Sequence, residues 1–377
     1  MELFSFIQPQ LYSQVFQICI SILCLITMFL YSLLNESRIH GDFKISSIIP
    51  SVSLTILIIL FLGLRPTYGY FFGDSIYYMH SYNQYNDYVP IDWSQEWLWV
   101  NFSVFLKSLG FDVSQYFLVI ETIYCGLMLA TCIKLMRNNT WIAVLFCFAS
   151  FSFYGYAING LRNGMALSII MYAIALFSDK NYERIIAALL MIIGLGIHRS
   201  TALASLSYIV AFFFIKEPKY AIGFWLLSII ISLFAGNTIG DFFASLGFDD
   251  RTSYFNEASE SEYADQFSST GFRFDFLLYS AMPILMTWYV TIKRNFQDKT
   301  FNTIAITYIL ANAFWIMVIR SSYSNRFAYL SWFLYPIVIA YPLLRMDIWK
   351  DQNKKIALIL FLYAGFTFFM NFIYYAQ

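Results

Sequence analysis

Charged residues in this chain fall almost entirely between long apolar runs, and that placement restricts the fold more than any other feature. Uninterrupted runs of roughly 17–25 residues match the length a helix needs to cross a bilayer. Twelve runs of this kind, those at 185–198 and 200–215 somewhat shorter, lie near 12–34, 45–64, 113–133, 140–158, 162–178, 185–198, 200–215, 220–236, 275–292, 301–319, 326–344 and 356–374. Only 12% of the residues are charged, against about 25% in an ordinary soluble domain, too few to cover a soluble globule of 377 residues. The expected fold class is therefore an all-α polytopic membrane protein with about 12 transmembrane helices. Residues 1–377 are read as a single transmembrane domain with two long polar stretches, 65–112 and 237–274. The first of these carries the segment QEWLWVNFSVFLKSLG, whose helical spacing and polar start predict a helix lying in the membrane interface.

Orientation follows from the basic residues, which favour cytoplasmic loops. Alternate loops hold fifteen of them on one side (Arg38, Lys44, Lys134, Arg137, Lys180, Arg184, Lys216, Lys219, Lys293, Arg294, Lys299, Arg345, Lys350, Lys354, Lys355). The other side holds eight: Arg65, Lys107, Arg162, Arg199, Arg251, Arg273, Arg320 and Arg326. The first set is expected to be cytoplasmic, which puts both long loops and both termini outside. The external set is almost all arginine, whereas the cytoplasmic set is mainly lysine. Arginine is favoured where a planar fork must grip phosphate or carboxylate. Arg162, Arg199, Arg273 and Arg326 each abut a predicted span, and a multiply charged anion explains several of them better than isolated snorkelling does.

Aromatic residues make up 21% of the chain, with 29 tyrosines. In the first external loop Tyr77, Tyr78, Glu96 and Trp97 offer the mixture of apolar faces and hydroxyl partners that sugar rings need, although interfacial anchoring also draws Tyr and Trp to such a place. Asp74 and Glu96 are the acidic candidates for a base or a hydroxyl-orienting group. His198 stands beside Arg199 at the tight connection between the sixth and seventh spans. A neighbouring guanidinium favours the neutral imidazole, which makes His198 the first candidate base and Asp74 the second. Glu121 falls in the middle of the third span and is a functional candidate or a helix–helix contact. Asn312 reads as helix–helix glue. The five cysteines lie within apolar runs and without metal-site spacing, and the zero net charge gives no reason to expect a nucleic-acid partner. The N-terminus lacks a basic n-region, so a cleavable leader is not expected. No nucleotide-binding or zinc motif is present in the sequence, and neither metal nor cofactor is expected.

The ordered motifs resemble the EpsG-like branch of the Wzy polysaccharide polymerases. They are R-N-G-M-A at 162–166, G-x-H-R-S-T-A-L at 196–203, G-F-R-F-D at 271–275 and N-R-F-A-Y at 325–329. The Gly-Asp followed by tyrosines at 73–85 and the E-W-L…N…L-G run at 96–110 are similar to that family as well. The resemblance implies a GT-C-like architecture in the bacterial inner (cytoplasmic) membrane, with a periplasmic active face and periplasmic termini. It implies undecaprenyl-pyrophosphate-linked oligosaccharides as donor and acceptor, surrounding membrane lipid, and a chain-length regulator as a further partner. The reaction it implies is metal-independent glycosyl transfer that polymerises repeat units. Arg162, Arg199, Arg326 and Arg273 would then bind the pyrophosphate, His198 and Asp74 would do the proton chemistry, and Tyr77, Tyr78, Glu96 and Trp97 would hold sugar. An O-antigen ligase is a related alternative, and a lipid-linked oligosaccharide flippase is one from another class.

Overall fold

A computed structural model describes residues 4–33, 47–66, 71–85, 96–176, 180–245, 272–320 and 324–374. Among these residues the chain is helical, with no strand. Seven helical stretches are long and apolar enough to cross a bilayer, and the helical stretches at 48–63, 161–175 and 199–213 are shorter but apolar. The chain is thus a polytopic membrane protein. It sorts into two compact units, Met1–His198 with Ala340–Gln377, and Arg199–Ile339.

The first unit contains α1 (Tyr12–Ser32), α2 (Ile48–Gly63), α3 (Ser75–Gln84), α4 (Trp97–Ser108), α5 (Val113–Met136), α6 (Thr140–Phe148), α7 (Phe153–Ile158), α8 (Leu161–Ala175) and α9 (Asn181–Ile197). The last helix, described below as α16 (Gln352–Phe369), packs back onto α1. α5 is central and touches α2, α3, α6 and α8. It starts at a capping box: the Asp112 carboxylate accepts from the Gln115 N–H at 2.8 Å, and the Gln115 side-chain oxygen accepts from the Asp112 N–H at 2.9 Å. That arrangement satisfies two of the N–H groups that a helix start leaves without intrahelical partners.

The apolar run at 140–158 is not one helix. Backbone order breaks between α6 and α7, where the Ser150 and Ser152 hydroxyls bond each other at 3.1 Å. Serines compete for local hydrogen bonds in this way, and hydropathy does not register it. The helix expected in the first long polar stretch is α4, and the same stretch also forms α3. The second long loop falls mostly at 246–271, outside the described residues.

The second unit contains α10 (Ala202–Phe213), α11 (Pro218–Ser245), α12 (Phe274–Trp288), α13 (Lys299–Met317) and α14 (Ser324–Trp332). The segment after it is α15 (Tyr335–Arg345), and α16 follows. α13 is the hub, touching α10, α11, α12 and α14. Polar contacts in apolar surroundings tie these helices together. Trp225 donates its indole N–H to Asn312 at 2.8 Å, and the Asn312 amide donates to Ser331 at 3.0 Å. Asn312 therefore joins α11, α13 and α14, each bond saturating a group that hydrocarbon would leave unpaired. Trp332 donates to the Ser280 hydroxyl at 2.7 Å, and Tyr308 donates to the Ser280 carbonyl at 2.9 Å.

Candidate functional site

Three helix ends in the first unit bring Glu96, Arg162 and His198 together. Glu96 is the residue that precedes α4, and Arg162 is the second residue of α8. His198 follows α9 with extended backbone, φ −150° and ψ 113°. One Glu96 oxygen, Oε2, pairs with the Arg162 guanidinium, and the other, Oε1, meets His198 Nδ1. A single carboxylate therefore bridges the guanidinium and the imidazole.

The ends meet because the helices beneath them pack closely. α8 lies on α9, and α9 lies on α4. At Gly196 a Cβ would sit 2.9 Å from Leu98 Cβ and 3.1 Å from the Trp97 ring, so only glycine lets α4 come this near. Below the site, Tyr82, Trp99, Leu106, Tyr116, Phe117 and Leu161 belong to one buried apolar cluster. Tyr82 and Tyr116 stack with centroids 4.1 Å apart, and the Ser103 hydroxyl bonds that of Tyr116 at 2.9 Å. This rigid aromatic base fixes where α4 begins, and so where Glu96 stands.

The side chains are partly open, with exposures of 14% for Glu96, 25% for Arg162 and 9% for His198. They are shielded enough for charges to act strongly, yet not sealed from solvent. Arg162 lies at the positive end of the α8 dipole, an unfavourable place for a cation. Glu96 offsets that cost. An approaching anion would meet the guanidinium and the helix end together. Burial holds the Tyr85 phenol above its usual pKa, while the charge of Arg162 works in the opposite direction.

Each proton position has a chemical consequence. A carboxylate on Nδ1 fixes the imidazole with that nitrogen as donor, leaving Nε2 as the acceptor. The sequence alone gave His198 the adjacent Arg199 as its modulator. The structure adds a carboxylate on its Nδ1, reaching from 102 residues away. No motif links Glu96 to His198, since the contact depends on α4 docking against α9.

Other sequence candidates are distributed as follows. Asp74 precedes α3, and its backbone N–H donates to the Asn159 side-chain oxygen at 2.8 Å. Tyr77 is exposed, whereas Tyr78 packs edge-on against Trp99 at 5.5 Å. Trp97 is half-buried against Gly196. Arg199, Arg273 and Arg326 belong to the second unit. Arg199 is exposed and Arg326 half-buried. Arg273 grips Asp275 through two bonds of 2.9 and 2.6 Å and covers the Phe276 ring at 3.8 Å, so part of its fork is engaged within the chain. Among the described residues, no three His, Cys, Asp or Glu side chains gather as a metal site.

Sequence reasoning missed the partner of Glu121. Arg65, placed with the external charges, is fully buried and lies 3.4 Å from Glu121. A carboxylate in mid-span and an arginine just beyond the end of another apolar run were the available signal, but nothing in the sequence says that α2 packs on α5.

The EpsG family model matches residues 48–377. The chain belongs to the EpsG family. Membership places it among membrane proteins of polysaccharide biosynthesis. The matched range contains every residue of the Glu96–Arg162–His198 cluster. Neither a curated protein nor a solved structure matches the chain.

Proposed function

We propose that this EpsG-family protein polymerises undecaprenyl-pyrophosphate-linked oligosaccharide repeat units by glycosyl transfer at the external face of the bacterial inner membrane. The observation that supports it most is the Glu96 carboxylate held between Arg162 and His198. In this scheme His198 Nε2 takes the proton from the acceptor sugar hydroxyl as that oxygen attacks the donor's anomeric carbon. The bond from that carbon to the pyrophosphate oxygen breaks, and the pyrophosphate leaves with the electron pair. Arg162, with the α8 N-terminus behind it, stabilises the charge developing on that leaving group. Glu96 stabilises the imidazolium formed in the step and keeps its ring oriented.

Arg199 and Arg326 carry the same pyrophosphate assignment from their sequence motifs. Arg273 ranks after them because Asp275 and Phe276 already engage it. Tyr77 and Trp97 are assigned to sugar. A transport path through the bilayer would need polar side chains along it. The one intramembrane carboxylate noted in the sequence is instead spent on Arg65 within the first unit. That favours transfer over flipping.

The test is complementation of a deletion strain, with polysaccharide length read on a gel. Arg162→Ala and His198→Gln should each abolish long chains at normal membrane levels of protein. Wild-type chain lengths from both variants would overturn the proposal. A C-terminal alkaline phosphatase fusion should be active, as an external terminus requires. An inactive phosphatase fusion, together with an active cytoplasmic reporter at the same place, would reverse the orientation.

A further inference from the structure

Arg65 lies two residues beyond α2, has no exposed side-chain surface, and cannot touch a substrate. Its hydrogen bonds nevertheless lead towards the site. Nη1 donates to the Leu62 carbonyl at 2.5 Å and faces Glu121 Oε1 at 3.4 Å. The guanidinium carbon lies 4.4 Å over the Phe117 ring. These three contacts fix the guanidinium in place. Nη2 then donates to the Ser75 hydroxyl at 3.0 Å, and that hydroxyl donates to the Ile158 carbonyl at 2.6 Å.

Ile158 is the last residue of α7, and the turn after it delivers α8. A second strap crosses at the same point, where the Asp74 N–H bonds Asn159 at 2.8 Å. Gly73 has φ +50°, and a Cβ there would fall 2.5 Å from the Asn159 side-chain oxygen. Two straps from the start of α3 thus hold residues 158 and 159, and Arg162 follows within one helical turn. A fixed guanidinium fork is the natural anchor for such a chain, because its geometry is planar and its charge permanent.

We propose that Arg65, braced by Glu121 and acting through Ser75, is a positioning residue that sets where Arg162 presents its guanidinium to a lipid pyrophosphate. This inference rests on the pyrophosphate assignment of Arg162 made above. The informative variant is Ser75→Ala, which removes the relay hydroxyl and leaves the buried ion pair intact. Arg65→Ala would strand a buried carboxylate and disturb the fold.

The probe is undecaprenyl pyrophosphate, the leaving product, titrated against the full-length protein in detergent, with undecaprenol as the uncharged control. Ser75→Ala should weaken binding of the pyrophosphate about tenfold without changing that of undecaprenol, and Arg162→Ala should weaken it at least as much. In the Arg162→Ala background, adding Ser75→Ala should cost no further affinity, since the relay then has nothing to position. Equal losses in both backgrounds would overturn the inference, as would full affinity in Ser75→Ala. If Arg162→Ala binds undecaprenyl pyrophosphate like the wild type, the pyrophosphate assignment itself falls and takes the inference with it. If Arg162→Ala binds weakly while Ser75→Ala is unaffected, the positioning role alone is lost.

Discussion

Glu96 meets His198 through one oxygen and Arg162 through the other, so replacing it tests two couplings at once. Glu96→Gln keeps the shape but removes the charge. Its amide oxygen can accept from only one of the two partners, and its amide nitrogen then faces the other donor against donor. The expected result is a loss of polymerisation of about 10- to 100-fold, the size typical of removing a group that orients a working histidine. The check is polymer yield against time in membranes adjusted to equal protein content. Glu96→Asp should recover part of the activity, whereas a Glu96→Gln variant at full rate would show that His198 needs no carboxylate. Arg162→Lys should rescue poorly, because an ammonium cannot meet Glu96 and a phosphate with the same planar fork. In the sequence His198 and Arg162 were visible as candidates by residue type and by their place at span ends, and Glu96 as an acidic residue in the aromatic first long loop. Their mutual contact was not, because each lies on a different helix and the spacing between them carries no period.

At the scale of elements, the helices were readable because hydropathy reports desolvation and a bilayer demands it over a set length. Among the described residues, every apolar run found in the sequence is largely helical, although 140–158 and 326–344 are each split into two helices. What hydropathy does not report is where a helix breaks. The interruption between α6 and α7 falls where Ser150 and Ser152 bond each other, and the kink in α11 sits at Ala235, with φ −133° and ψ 17°, just before Gly236 and Asn237, both weak helix formers. Docking of α4 on α9 was likewise hidden, since it depends on one glycine meeting a tryptophan. That contact yields a prediction. Gly196→Val would force the Trp97 ring and Leu98 away, as even a Cβ at this position lies 2.9–3.2 Å from them. Overpacking of this kind costs about 1–3 kcal/mol. The expected outcome is a lower melting temperature in detergent and lost polymerisation, because Glu96 leaves with α4. Combining it with Trp97→Ala, which opens space, should restore part of the melting temperature. If Gly196→Val melts and polymerises like the wild type, the α4–α9 contact is not what holds the site.

For the whole molecule, the sorting of basic residues into lysine-rich and arginine-rich sets carried the functional expectation, and Arg65 shows what such sorting leaves out. It sits among the arginines counted as external, yet it is buried against Glu121 and works inside the first unit. A buried ion pair is a poor source of stability in itself, because desolvation consumes much of the attraction, but losing one partner is severe. Glu121→Leu alone leaves the guanidinium uncompensated and should destabilise the protein by about 3–5 kcal/mol, seen as reduced membrane levels and a lowered melting temperature. Arg65→Met together with Glu121→Leu removes both charges with little change in volume and should return much of the lost stability. The double variant also lacks the donor to Ser75, so a recovered fold should come without recovered polymerisation. Stability and activity would then separate in one protein, as they must if the pair sets geometry for Arg162. Return of both together would make the pair purely structural, and polymerisation would then have to draw its order from the Asp74–Asn159 strap alone.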